Sequence, residues 1–103
     1  MLKFRSAMFF GESVKKEHRK LLRRLDRGKS VSKEITLITY AVNGRDLFDL
    51  IPAWELRLPY RKQQDLYVLG MAGSKEEAID LAVEMVMEVY GKTGGFDVRN
   101  HFG

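Results

Sequence analysis

Few side chains in this 103-residue sequence stand where they could do chemistry, and most of those have a plainer structural use. Gly91-Lys92-Thr93 matches the end of a phosphate-binding loop. That loop needs a glycine about five residues earlier, where Val86 stands, and it opens a helix whereas this triplet closes one. The stretch 70–73, Gly-Met-Ala-Gly, lies between a strand and a helix, where backbone N–H groups and the helix dipole can meet an anion. Ser74 and Glu77 are placed to satisfy two of those N–H groups themselves, and Glu76 and Glu77 already bring negative charge to the first turn. Tight chain packing is the simpler use for these glycines. His18 and His101 have no cysteine, no second histidine at ligand spacing and no H-E-x-x-H context, so no metal site is expected. His18 falls within an apolar stripe and reads as a partly buried side chain with one hydrogen bond.

Two groupings mix chemistries. Asp97-Val98-Arg99-Asn100-His101 could line a cleft near the C-terminus, although polar residues collect at termini without a function. Trp54 and Glu55, with Arg57 and Tyr60, could rim a ligand or partner site, since aromatic and Arg residues supply interface hot spots. The plainer alternative makes Trp54 an anchor that closes the core under a loop. Acid/base catalysis needs two carboxylates, or a carboxylate and a histidine, held around a cleft. No such set, nucleophile or cofactor loop can be assembled, so neither a catalytic residue nor a cofactor is expected.

The strongest feature is a basic helix over about 13–27, with Ser13 as N-cap and Gly28 as its stop. Val14, His18, Leu21, Leu22 and Leu25 share one narrow arc, while Lys15, Lys16, Arg19, Lys20, Arg23, Arg24 and Arg27 fill the opposite side. A helix so charged could neutralise several phosphates of a nucleic acid. Against this, basic helix faces are often merely solvated, and the aromatic-rich strand signatures of RNA binding are absent.

The elements that must position these residues follow from periodicity. Residues 2–10 are ambiguous and are read as a strand. Residues 34–42 are β-branched and apolar on both faces, which marks a central strand. Asn43-Gly44 suits a two-residue type I′ turn, whose register sets Ile35, Leu37 and Thr39 opposite Pro52, Leu50 and Phe48. The competing helix from Asp46 would enclose Pro52 at about 3 kcal/mol, so a strand to about Ile51 is preferred. A short helical turn over 53–58, a surface loop over 58–64 and an apolar strand over 66–72 come next. Ser74 and Glu77 form a capping box that opens a helix over about 74–90, stopped by Gly91. Its apolar set (Ala78 to Tyr90) wraps over half the circumference, leaving an acidic strip of Glu77, Asp80, Glu84 and Glu88. One sheet face cannot cover so much apolar surface; the first helix, another subunit or both must help. The tail over 96–102 is read as a short strand.

Composition bounds the rest. One domain of this size can bury roughly two-thirds of the surface its unfolded chain exposes. The absence of cysteine excludes thiolate metal sites and a disulfide framework, and fits a reducing compartment. The uncharged stretch after Arg5 is too short for a signal-peptide core, and no window approaches a membrane span, so a cytoplasmic protein without membrane association is expected. Net charge is +4, but residues 1–33 carry 11 basic against 3 acidic side chains and residues 34–103 carry 7 against 11. Such asymmetry marks either a polyanion-binding end or two opposite surfaces that meet within the fold or across a dimer. The expected fold is α+β: a single domain, 1–103, with a mainly antiparallel sheet of three to five short strands and two helices (about 13–27 and 74–90) packed on one face. The expected function is a non-enzymatic interaction module, a homodimer or partner of another protein, with Val83, Met87, Tyr90 and Trp54 at the interface. The alternative is a nucleic-acid-binding accessory protein using the basic helix. A small-ligand-binding or enzymatic domain comes third.

Overall fold

The structure, a computed structural model, describes residues 2–103. Strand β2 (Thr36–Tyr40) is buried from Thr36 to Thr39, and a strand apolar on both faces needs neighbours on both edges and cover on both sides. It lies inside a four-stranded sheet of order β1-β4-β2-β3, with β1 at Leu2–Phe10, β3 at Phe48–Pro52 and β4 at Leu66–Ala72. The β2–β3 and β2–β4 pairs are antiparallel and β1–β4 is parallel, so the expected α+β domain has a mixed sheet with antiparallel pairs in the majority. One face, with Ile38, Leu69 and Ala72, carries helices α3 (Lys75–Thr93) and α4 (Val98–Phe102). The other, with Leu37, Val68 and Met71, carries α1 (His18–Asp26) and the 3₁₀ turn Ala53–Arg57. The two long helices therefore lie on opposite faces, where the sequence reading put them on one. The two-sided apolar pattern of β2 is the physical reason: a sheet with both faces apolar must be covered twice.

The hairpin differs in register from the expected one. Leu37 pairs with Ile51 and Thr39 with Asp49, one residue away from the register that a two-residue turn imposes. The connection spans residues 41–47. Asn43 Oδ1 accepts from the N–H groups of Arg45 (2.9 Å) and Asp46 (3.1 Å), a side-chain turn that replaces type I′. Only Gly44 has positive φ, +73°, while Asn43 does not. β3 is a strand, as preferred over the helix from Asp46, and Ala53–Arg57 is the expected helical turn. Part of the expected surface loop is a single helical turn, α2 (Pro59–Lys62), with Pro59 in its first turn.

The helix boundaries shift for local reasons. Residues Glu12–Val14 form a 3₁₀ turn and α1 begins only at His18, because Ser13 gives its hydroxyl to Glu77 and caps nothing. α3 passes through Gly91 and ends at Thr93, where Gly94, at φ +74°, supplies the left-handed cap and donates to the Tyr90 carbonyl (2.8 Å). The tail is the helix α4, not a strand: Asp97 accepts from Asn100 N–H (3.3 Å), and Val98 and Phe102 are buried against α3 and the sheet. Leu69 is an extra residue of β4 relative to β2, between the pairs Thr39–Val68 and Ile38–Gly70. This bulge sends Val68 and Met71 to one face and Leu69 and Ala72 to the other.

Candidate functional site

The glycine turn between β4 and α3 already holds an anion, the chain's own Glu77. Gly73 N–H donates to Glu77 Oε1 (2.8 Å), as does the Ser13 hydroxyl (2.7 Å), while Ser13 N–H reaches Oε2 (3.4 Å). Ser74 Oγ accepts from Glu77 N–H (3.1 Å), the expected N-cap bond. The carboxylate extends past the cap residue to Gly73 and Ser13, joining the end of β1 to the start of α3. The Gly73 N–H and then the Ser13 hydroxyl hold the Glu77 carboxyl below the usual glutamate range, against an opposing effect of burial smaller than either, and Ser13 N–H adds the least. A side chain at Gly11 would overlap the Glu77 carboxyl, and one at Gly73 would overlap the Ser13 hydroxyl, so both glycines serve close packing.

The polar groups near the C-terminus also have structural work. Arg99 donates to the Ala41 carbonyl (2.7 Å) and lies over the Tyr40 ring at 4.8 Å. His101 Nε2 lies 3.1 Å from Glu88 Oε2, tying α4 to α3. Tyr40 donates to the Val98 carbonyl (3.3 Å), and burial pushes its phenol up. His18 packs on Phe10 with ring centroids 4.5 Å apart and planes tilted by 39°, and its Nδ1 lies 2.6 Å from the Lys15 carbonyl, the half-buried, once-bonded side chain that its position implied. Among the described residues no group of three or more His, Cys, Asp or Glu could hold a metal ion, and no helix is long and apolar enough to cross a membrane.

The seven basic residues lie along α1 and the turn before it. Lys15 pairs with Glu12 (2.6 Å), and Arg24 turns both Nε (2.9 Å) and a terminal nitrogen (2.7 Å) onto the Ser30 carbonyl. Lys16, Arg19, Lys20, Arg23 and Arg27 are exposed and have no carboxylate partner among the described residues. Of the acidic strip of α3, Glu77 is bonded to Ser13 and Glu88 to His101, and none of the strip pairs with a Lys or Arg among the described residues.

On α3 the apolar circumference divides in two. Ala78, Leu81, Met85 and Val89 are buried against the sheet, whereas Ile79 (43% exposed), Val83 (55%), Met87 (60%) and Tyr90 (47%) form a second row open to solvent. Tyr90 stacks on exposed Phe96 at 5.2 Å. Leu50 of the edge strand β3 joins Ile79, Ala82, Val83, Val86 and Met87 around a shallow apolar groove of about 250 Å³. The interface set expected from sequence is thus split. Val83, Met87 and Tyr90 share one row, but Trp54 belongs to the opposite side of the sheet, in the turn packed near α1. Trp54 is 50% exposed and closes no core, because Ala53 and Leu56 take that place. Glu55 accepts from Arg61 (3.1 and 3.3 Å) and Tyr60 (3.4 Å), which leaves Arg57 outside that cluster. Ile79 and Leu50 were not singled out by the sequence reading. The i, i+4, i+8 spacing of Ile79, Val83 and Met87 was the available signal for the first; only tertiary packing brings in the second. Comparison with protein-family models, curated proteins and solved structures returns no match for this chain.

Proposed function

We propose that this protein is a non-enzymatic, self-associating interaction module, a cytoplasmic homodimer formed through the open row of α3. The observation that carries the reading is the line Ile79, Val83, Met87 and Tyr90, four large apolar side chains each about half exposed on a helix whose opposite side is fully packed. The first helix cannot cover this row, because it lies across the sheet, so a surface outside the protomer is needed. Strand addition is a poor rival. The β3 edge is five residues long and carries Asp49 and Pro52, and β1 pairs irregularly with β4 between Phe4 and Phe9 and carries an exposed Lys3, features that discourage edge pairing. A second copy offers the same apolar row, and a two-fold contact of that row with itself buries it on both chains. In sedimentation velocity the wild type should be dimeric at micromolar concentration. Met87→Glu should give a folded monomer, since Met87 is exposed within the protomer; an unfolded variant would assign Met87 to the protomer core and refute the reading.

A second reading, nucleic-acid binding by α1, is favoured by the five exposed cations that lack a carboxylate partner among the described residues. Its mechanism is neutralisation of a phosphate backbone with release of counterions, which carries no base information. The two readings use opposite faces and are compatible.

A further inference from the structure

The side of the sheet that carries α1 holds a cavity of about 760 Å³, between the end of α1, the segment after it and the 53–66 region. Its floor is aliphatic. Leu25, Ala53 and Leu66 are buried there, with Leu2, Val31 and Leu56 half-buried around them. Its rim is cationic: Lys29, Lys33, Arg57 and Lys62 are exposed, with no carboxylate partner among the described residues, and Asp26 is the one acidic side chain in the lining. Arg61 also reaches the wall, but Glu55 (3.1 Å) and Gln64 (3.0 Å) hold its guanidinium, so it shapes the site and leaves the charge to the other four. The wall is braced: Arg24 clasps the Ser30 carbonyl with two nitrogens, and Lys29 N–H donates to the Arg24 carbonyl (2.8 Å). Trp54, half exposed, stands in the lining.

An aliphatic floor of ligand size with a rim of one charge is the pattern of a site for a molecule with an apolar body and an oppositely charged head. We propose that this cavity binds a small amphipathic organic anion, an aliphatic chain ending in a single acidic group, with the chain over Leu25, Val31 and Leu66 and the head among Lys29, Lys33, Arg57 and Lys62. A nucleotide fits less well. Trp54 could stack a base, but among the described residues of the lining the uncharged polar side chains are few, Ser30 and a Gln64 that already accepts from Arg61, and the aliphatic floor would face polar groups. The site lies across the sheet from the α3 row and does not depend on self-association.

Trp54 is the only tryptophan in the sequence, so tryptophan emission comes from the lining of this cavity. The probe is decanoate, with decan-1-ol as the uncharged body and acetate as the bodiless head. The wild type should bind decanoate saturably, one per chain by calorimetry, with a change in Trp54 emission and at least tenfold more tightly than decan-1-ol or acetate. Lys29→Glu with Arg57→Glu, both on exposed side chains, should weaken decanoate at least tenfold, while Met87→Glu across the sheet should leave it unchanged. Equal binding of decanoate and decan-1-ol by the wild type would overturn the proposal without recourse to any variant. So would a change smaller than threefold in the folded double variant, or decanoate binding that leaves Trp54 emission unaltered and is lost in Met87→Glu, which would place it in the α3 groove.

Discussion

Replacing Glu77 by alanine takes one acceptor away from three donors at once. The Gly73 N–H and the Ser13 hydroxyl lose bonds of 2.8 and 2.7 Å to a carboxylate, and Ser13 N–H loses a longer one. Hydrogen bonds to charged groups contribute about 1.5–3 kcal/mol each when fully desolvated. Glu77 is only partly buried and water can replace much of each bond, so the whole set should be worth about 1–2 kcal/mol, a fall in Tm of about 5–10 °C for a domain of this length. Because the folded carboxyl titrates lower than the unfolded one, its contribution is complete above the unfolded value of about 4.3. It is lost as pH falls from there through the folded value. Urea midpoints for the wild type should therefore drop across that acid range more steeply than those of Glu77→Gln, which keeps an acceptor but no charge. Gly11 gives an independent handle. Its nearest obstacles to a Cβ are all atoms of the Glu77 side chain, and its φ of −64° suits alanine, so Gly11→Ala should cost what displacing Glu77 costs and little more. The double variant Gly11→Ala/Glu77→Ala should then be nearly as stable as Glu77→Ala alone, a coupling of about 1 kcal/mol. Strictly additive losses, or a Glu77→Ala variant as stable as the wild type at pH 7, would refute the cradle.

Two glycines of α3 should respond with opposite signs. Gly91 lies within the helix with open space around its Cβ position, so Gly91→Ala should raise stability by about 0.5–1 kcal/mol, whereas Gly94→Ala, at φ +74°, should lower it by about 1 kcal/mol in urea denaturation. Gly44→Val should cost on the order of 1 kcal/mol or more, from backbone strain at φ +73° alone, since the space around its Cβ position is open. Changing Lys16, Arg23 and Arg27 together to alanine should leave Tm at its wild-type value, because none of the three has a carboxylate partner among the described residues. If α1 tracks a phosphate backbone, the same change should flatten the salt dependence of DNA or RNA binding by about 2 to 3 units for unrelated sequences. No binding by the wild type at low salt would refute that reading.

What was legible in the sequence was what neighbouring residues decide. The apolar run of β2, the Ser74 cap and the strand that Pro52 favours over a helix all depend on chain neighbours, and each is found where the pattern puts it. Gly91 misled because a glycine costs a helix only about 1 kcal/mol, less than Lys92, Thr93 and a cap at Gly94 return. The hairpin register misled because Asn43 can either enter a type I′ turn or bond forward to Arg45 and Asp46, and the side-chain choice lengthens the loop. The stripe of α1 says that the helix packs but not on which face, although a strand apolar on both sides already required two covers. Trp54 was grouped with the α3 row by residue type alone, and only the fold separates them. The cavity beside it draws its lining from four separated stretches of chain, from Leu2 to Leu66, so no local pattern announces it.

The self-association account is tested most directly by single-site spin labelling, because the sequence contains no cysteine and one introduced thiol gives one label per chain. A label at Asp80→Cys, exposed on α3 beside the open row, should show strong dipolar coupling to its counterpart in the partner copy, and dilution with unlabelled protein should remove it. A label at Lys20→Cys, on the far side of the sheet, should report a distinctly longer distance. No coupling at position 80 at any concentration, or a short distance at position 20 with a long one at 80, would contradict the assignment of α3 as the contact surface.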